Sequence, residues 1–124
     1  MTPPTVVAEI GCNHKGEIDI AKEMIKMAAV FCKADYVKFQ KRANKELLPP
    51  AQYNAPHPNP MHSYGNTYGE HREYLEFTPE VHRDLKRVCE EFGIGYSTSV
   101  WETTSAKEMA ALGPDHLKVP SASN

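Results

Sequence analysis

The chain has 124 residues, 40% of them hydrophobic and 24% charged, which suits one domain with a buried core and is too apolar for a disordered segment. Its net charge of -2 gives no general attraction to nucleic acid or anionic membrane, and no run approaches the roughly 18 apolar residues of a transmembrane helix. Cys12, Cys32 and Cys89 lack C-x-x-C spacing, and Met1–Pro4 lacks the basic and apolar parts of a signal peptide, so the expectation is a cytoplasmic protein with reduced thiols.

Thr5 to Ile10 reads as a short apolar strand, and Gly11 to Gly16 as a loop. Glu17 to Lys33 predicts an amphipathic helix, with Ile20, Met24, Met27 and Phe31 at helical spacing and Ala28, Ala29 and Cys32 also suited to a packed face. Ala34 to Gln40 is a second strand, with Tyr36, Lys38 and Gln40 on one face and Val37 and Phe39 on the other. Lys41 to Phe77 is proline-rich at first, then aromatic and charged, with a short helix expected over Glu70 to Leu75. Thr78-Pro79-Glu80 opens a helix with Thr at the N-cap, and Gly93 closes it. Ile94 to Thr98 is a third strand. Thr103 or Thr104 caps the next helix, Gly113-Pro114 stops it, and His116 to Val119 is a fourth strand.

This cadence of about four strands and three main helices predicts an α/β fold with a parallel sheet and right-handed crossovers. A full (β/α)8 barrel takes about 250 residues. The chain therefore reads either as a small open α/β domain or as the N-terminal part of a barrel.

Each strand ends in polar residues. Glu9 interrupts the first, Lys38 lies between Val37 and Phe39 in the second, Thr98 ends the third, and the fourth gives Lys118 and then Ser121. Ligands of parallel α/β folds bind at these C-terminal strand ends. Two lysines and two hydroxyls suit an anion such as phosphate, by charge and by donated hydrogen bonds. A buried carboxylate is costly unless paired, so Glu9 is either a functional acid or the partner of a lysine such as Lys38. The six histidines show no metal-ligand spacing, and His14, just after the first strand, is the one best placed for a role.

The stretches AEIGCNHKG, ADYVKFQKR, YGEHREYLEF, YSTSV and LKVPSASN, in this order, resemble the sialic acid synthase family of N-acetylneuraminate, legionaminate and pseudaminate synthases. The resemblance covers nearly the whole chain. It implies that residues 1–124 are the N-terminal part of a single (β/α)8 TIM-barrel synthase domain. It further implies condensation of phosphoenolpyruvate with an N-acetylated amino sugar to give a nonulosonic acid and phosphate. A divalent metal, manganese or magnesium, would assist, and the protein would be a homodimer. Lys38, Thr98, Lys118 and Ser121 match the family's phosphoenolpyruvate-binding positions, and Glu9 matches the glutamate that faces the reacting centre. The family's metal-binding histidines lie on later strands and its antifreeze-like domain follows the barrel, so no metal ligands are expected in this chain and the chain alone is expected to be inactive.

Two departures stand out. The family commonly has STPFD where this chain has Ser97-Thr98-Ser99-Val100-Trp101-Glu102, and an acid of SGE where this chain has Ser123. The alternatives are another phosphoenolpyruvate-condensing or aldolase-type barrel, or a non-catalytic α/β module that binds an anion or self-associates. None of these readings involves nucleic acid or membrane.

Overall fold

Short β-branched and aromatic runs alternate with amphipathic ones, and the computed structural model, which describes all 124 residues, joins them into one four-stranded sheet. The strands are β1 (Val7–Gly11), β2 (Tyr36–Lys41), β3 (Gly95–Val100) and β4 (His116–Lys118). They lie side by side in sequence order, and each neighbouring pair is parallel. That order discriminates between architectures. Right-handed crossovers that always step the same way lay their helices on one face of the sheet. A doubly wound sheet reverses direction at a switch point. The chain folds as the opening part of a (β/α)8 barrel.

The helices are α1 (Ile18–Val30), the single turns α2 (Asn44–Leu47) and α3 (Pro50–Tyr53), α4 (Tyr68–Tyr74), α5 (Pro79–Phe92) and α6 (Thr103–Ala110). Alternation along the strands sends Ile10, Val37, Phe39 and Tyr96 toward them. There they meet Ala21, Ile25 and Ala28 of α1 and Leu85 and Cys89 of α5. Each large apolar side chain buried here stabilises the fold by about 1.5–3 kcal/mol.

Several expectations shift on contact with the structure. The buried stripe of α1 is Ala21, Ile25 and Ala28, with Met24 and Ala29 packed against it as expected, while Met27 and Phe31 are exposed. Both stripes have helical spacing, but the alanines let the helix approach its neighbours closely. The cap of α6 is Glu102, whose Oε1 accepts from the Ser105 N–H at 2.8 Å. Thr104 is drawn away from capping because its hydroxyl donates to the Glu46 carboxylate of α2, at 2.8 and 2.9 Å from its two oxygens. The short helix in the long connection begins earlier than expected, at Tyr68, because Thr67 and Glu70 form a reciprocal capping box. Thr78 caps α5 as expected, accepting from the Val81 N–H at 3.3 Å.

Candidate functional site

The register of the sheet decides which strand-end residues can act together. Partners across parallel strands share a face. Glu9 pairs with Lys38, Lys38 with Ser97, and Ser97 with His116, forming one row on the face away from the helices. The next row toward the C-terminal ends is Gln40, Ser99 and Lys118. Thr98 instead pairs with Phe39 and Leu117. It is fully buried on the helix side, with its hydroxyl turned to the Ser99 carbonyl at 3.3 Å. The structure therefore does not bring Thr98 to the side of Lys38, and the serines on either side of it hold those places. A period of two makes this outcome a matter of a single residue of register.

Glu9 and Lys38 do meet. Lys38 Nζ lies 2.7 Å from Glu9 Oε2, and the Gln40 side-chain amide donates to Glu9 Oε1 at 3.4 Å. Gly11 makes this geometry possible. Its φ of +57 suits glycine, and a Cβ there would stand 3.2 Å from Glu9 Oε1. Ser97 spends its hydroxyl on the Val37 carbonyl at 3.2 Å. Lys118 is exposed on the same face, two strands from Lys38. Ser121 sits in a closing turn over residues 121–123, exposed and distant in sequence from the Glu9–Lys38 pair.

Beyond the end of β2 lies a cluster that motif spacing did not single out. Trp101 Nε1–H donates to Gln40 Oε1 at 2.7 Å, and Arg42 Nη2 donates to the same oxygen at 3.4 Å. The Arg42 guanidinium stacks 4.5 Å above the Trp101 ring. It also approaches Cys12 Sγ at 3.5 Å and Glu76 Oε1 at 3.8 Å, while its backbone N–H donates to Glu76 Oε2 at 3.1 Å. Lys41 adds a second cation, 3.9 Å from Glu76 and 3.7 Å from Glu108. Burial outweighs these cations and pushes the Glu76 carboxyl up to about 7. A cleft of about 470 Å³ opens outside this cluster, lined by Lys41, Arg42, Asn44, Glu46, Glu73 and Glu76 among others.

His14 turns out to support the loop. Its Nδ1 accepts from the Gly16 N–H at 3.0 Å, and its ring stacks on Phe77 with centroids 4.1 Å apart. Burial lowers its pKa to about 4, so it stands neutral. The face that carries Glu9 offers a single carboxylate, already bonded to a lysine. No three His, Cys, Asp or Glu side chains converge in the chain. No helix is long and apolar enough to cross a membrane.

Comparison with known proteins adds to this geometry. A profile of the NeuB family matches residues 24–124. Human N-acetylneuraminate-9-phosphate synthase is 39% identical over 119 residues, covering 96% of this chain and 33% of that protein. The N,N'-diacetyllegionaminic acid synthase of Legionella pneumophila is 30% identical, covering 94% of this chain and 32% of its own. The chain thus spans about a third of the length of these curated relatives. Among solved structures, the N-acetylneuraminic acid (sialic acid) synthetase of Leptospira borgpetersenii, in complex with citrate, superposes with a TM-score of 0.73 at 22% identity. That superposition covers 95% of this chain and 36% of the other, and at this identity it speaks to the fold alone.

Proposed function

The chain belongs to the NeuB family, and from that premise we propose that the whole protein condenses phosphoenolpyruvate with an N-acetylated amino sugar, this chain supplying part of the anion-binding rim. In the reaction, C3 of phosphoenolpyruvate bonds to the sugar's aldehyde carbon, water adds at C2, and the C2–O bond to phosphate breaks. The observation that carries this reading is the Glu9–Lys38 pair, set at 2.7 Å in one row of the sheet face away from the helices.

Each residue has a task that its chemistry allows. Lys38 and Lys118 lie two strands apart and one row out of step, about 12 Å between their backbones by strand spacing and rise. Their long side chains let the two ammonium groups take the phosphate and the carboxylate of one three-carbon acid. Lys38 is held by Glu9 in the free chain and exchanges that partner for the arriving anion. Glu9, released from Lys38 and still facing the Gln40 amide, orients the sugar or the attacking water, and proton transfer is within the reach of a carboxylate. Ser121 follows Lys118 at the rim and donates a hydroxyl. A divalent metal would polarise the aldehyde as a Lewis acid and would be held by residues outside this chain. The protein would act as a dimer in the cytoplasm.

Calorimetric titration of phosphoenolpyruvate into the wild-type chain and Lys38→Ala tests the reading. Binding to wild type, weakened at least tenfold in Lys38→Ala, is expected, since a charge-assisted contact contributes about 1.5–3 kcal/mol. Equal binding to both, or binding to neither, would overturn the anion-site assignment for this chain.

A further inference from the structure

The Gln40 side chain has an orientation that its neighbours dictate. An amide oxygen and nitrogen look alike in shape, so their assignment rests on partners. Trp101 Nε1–H and the Arg42 guanidinium are donors only. Both point at the same Gln40 atom, at 2.7 and 3.4 Å, so that atom is the oxygen. The amide NH2 is thereby turned to Glu9 Oε1, 3.4 Å away. With the amide reversed, two donors would face a third and Glu9 would face an acceptor.

Arg42 is itself held. It is almost fully buried, stacked on Trp101 and bonded through its backbone and its guanidinium to Glu76. The contacts run without a break from Glu76 to Arg42, to Trp101 and Gln40, and on to Glu9 and Lys38.

We propose that Arg42 and Trp101 are positioning residues, anchored by Glu76, that lock the Gln40 amide and through it aim the Glu9 carboxylate. The inference rests on the reading of the Glu9–Lys38 row as a substrate row, and it deepens that reading by naming what orients it. The relay predicts that the charge of Glu76 governs the environment of Trp101, although the two do not touch. The titratable and charged groups facing Glu76 are Arg42 and Lys41 from the end of β2, Cys12 from the first loop, and Glu73 from α4, with Arg72 of α4 acting on Cys12. Glu108 of α6 reaches it through the shared Lys41. Of these, Arg42 stacks on the Trp101 ring.

Trp101 is the single tryptophan, so its emission and its indole N–H resonance report this point only. In dilute wild-type chain, emission between pH 5 and 9 is expected to follow one proton with a midpoint near 7, the value of Glu76. Glu76→Gln should abolish that step. Arg42→Lys, which keeps the charge and loses the planar fork, should shrink it. Gln40→Ala should move the indole proton upfield, since its acceptor is gone. Emission that is flat with pH in wild type, a step that survives in Glu76→Gln, or an indole proton unmoved by Gln40→Ala would each overturn the relay. No phosphoenolpyruvate is present in this experiment. Failure of its titration would leave the relay standing, and a flat emission profile would remove the relay whatever the ligand does.

Discussion

Glu76, His14 and His82 are buried titratable groups whose shifts oppose one another. Burial lowers His14 to about 4 and His82 to about 3, from an ordinary 6.5. His82 keeps its Nδ1 2.6 Å from the Tyr96 hydroxyl inside the core. A group whose folded pKa is depressed adds stability above its unfolded pKa and loses it as pH falls. Glu76 has the other sign. Its pKa rises from 4.5 to about 7, so its contribution is present at low pH and is lost as pH climbs through about 7. Between about pH 5 and 6 the unfolded chain holds about two more histidine protons and about one fewer on Glu76, a net excess of about one proton. The two histidines outweigh the one glutamate. Stability should therefore fall on acidification in this window, and His71, whose pKa is also lowered by burial, adds to the same direction. Urea midpoints at pH 6 and 5 measure the slope. Glu76→Gln removes the opposing contribution, and its slope should be steeper than that of wild type. A stability that rises on acidification would contradict the burial of the two histidines as neutral rings.

At the scale of elements, local chemistry set the boundaries of α5 and tertiary chemistry set those of α6. Thr78, Pro79 and Gly93 sit where the sequence alone puts them, because each acts on its own helix end. The start of α6 is different. Thr103 and Thr104 are better N-cap residues by type than Glu102. Yet Glu46, far away in sequence, engages the Thr104 hydroxyl, and Glu102 is left to accept from the Ser105 N–H. Capping is thus expected to reside in Glu102. Glu102→Ala should lower stability by about 1 kcal/mol, and Thr103→Ala by only a few tenths. Denaturant unfolding of the two variants separates the assignments, and a larger loss in Thr103→Ala would return the cap to the threonine. The α1 stripe teaches the same lesson. Helical spacing identified a helix but not which of two adjacent stripes faces inward. The small alanines at positions 21 and 28 decided that by allowing close approach.

For the whole molecule, the alternation of strand and helix runs was enough to read the parallel α/β order, since every crossover obeys one handedness. Glu9 and Lys38 were legible because a charge inside an apolar run needs a reason. Gln40 was legible as a neighbour of Lys38 on one face, but its union with Arg42, Trp101 and Glu76 was not, because it depends on chain segments up to 61 residues apart in sequence. The face on which Thr98 lies was not legible, because motif matching carries no register and the register sets it beside Phe39. The same sheet that makes the site also leaves two strands, β1 and β4, at open edges. Exposed Val6, Val7 and Val119 lie on or beside those edges, with unpaired backbone groups available to a second chain. The 124-residue chain should therefore associate as its concentration rises, with β1 the stronger edge because β4 has only three residues, one of them a lysine. Val7 projects on the same face as Glu9, away from the helix layer, so Val7→Lys adds a charge to that edge without opening the core. Static light scattering should show a mass that climbs with concentration in wild type and stays near one chain in Val7→Lys. A wild-type chain that remains monomeric at the highest concentrations reached would mean that the edges are protected by something other than pairing. An equal rise in both proteins would move the association away from β1.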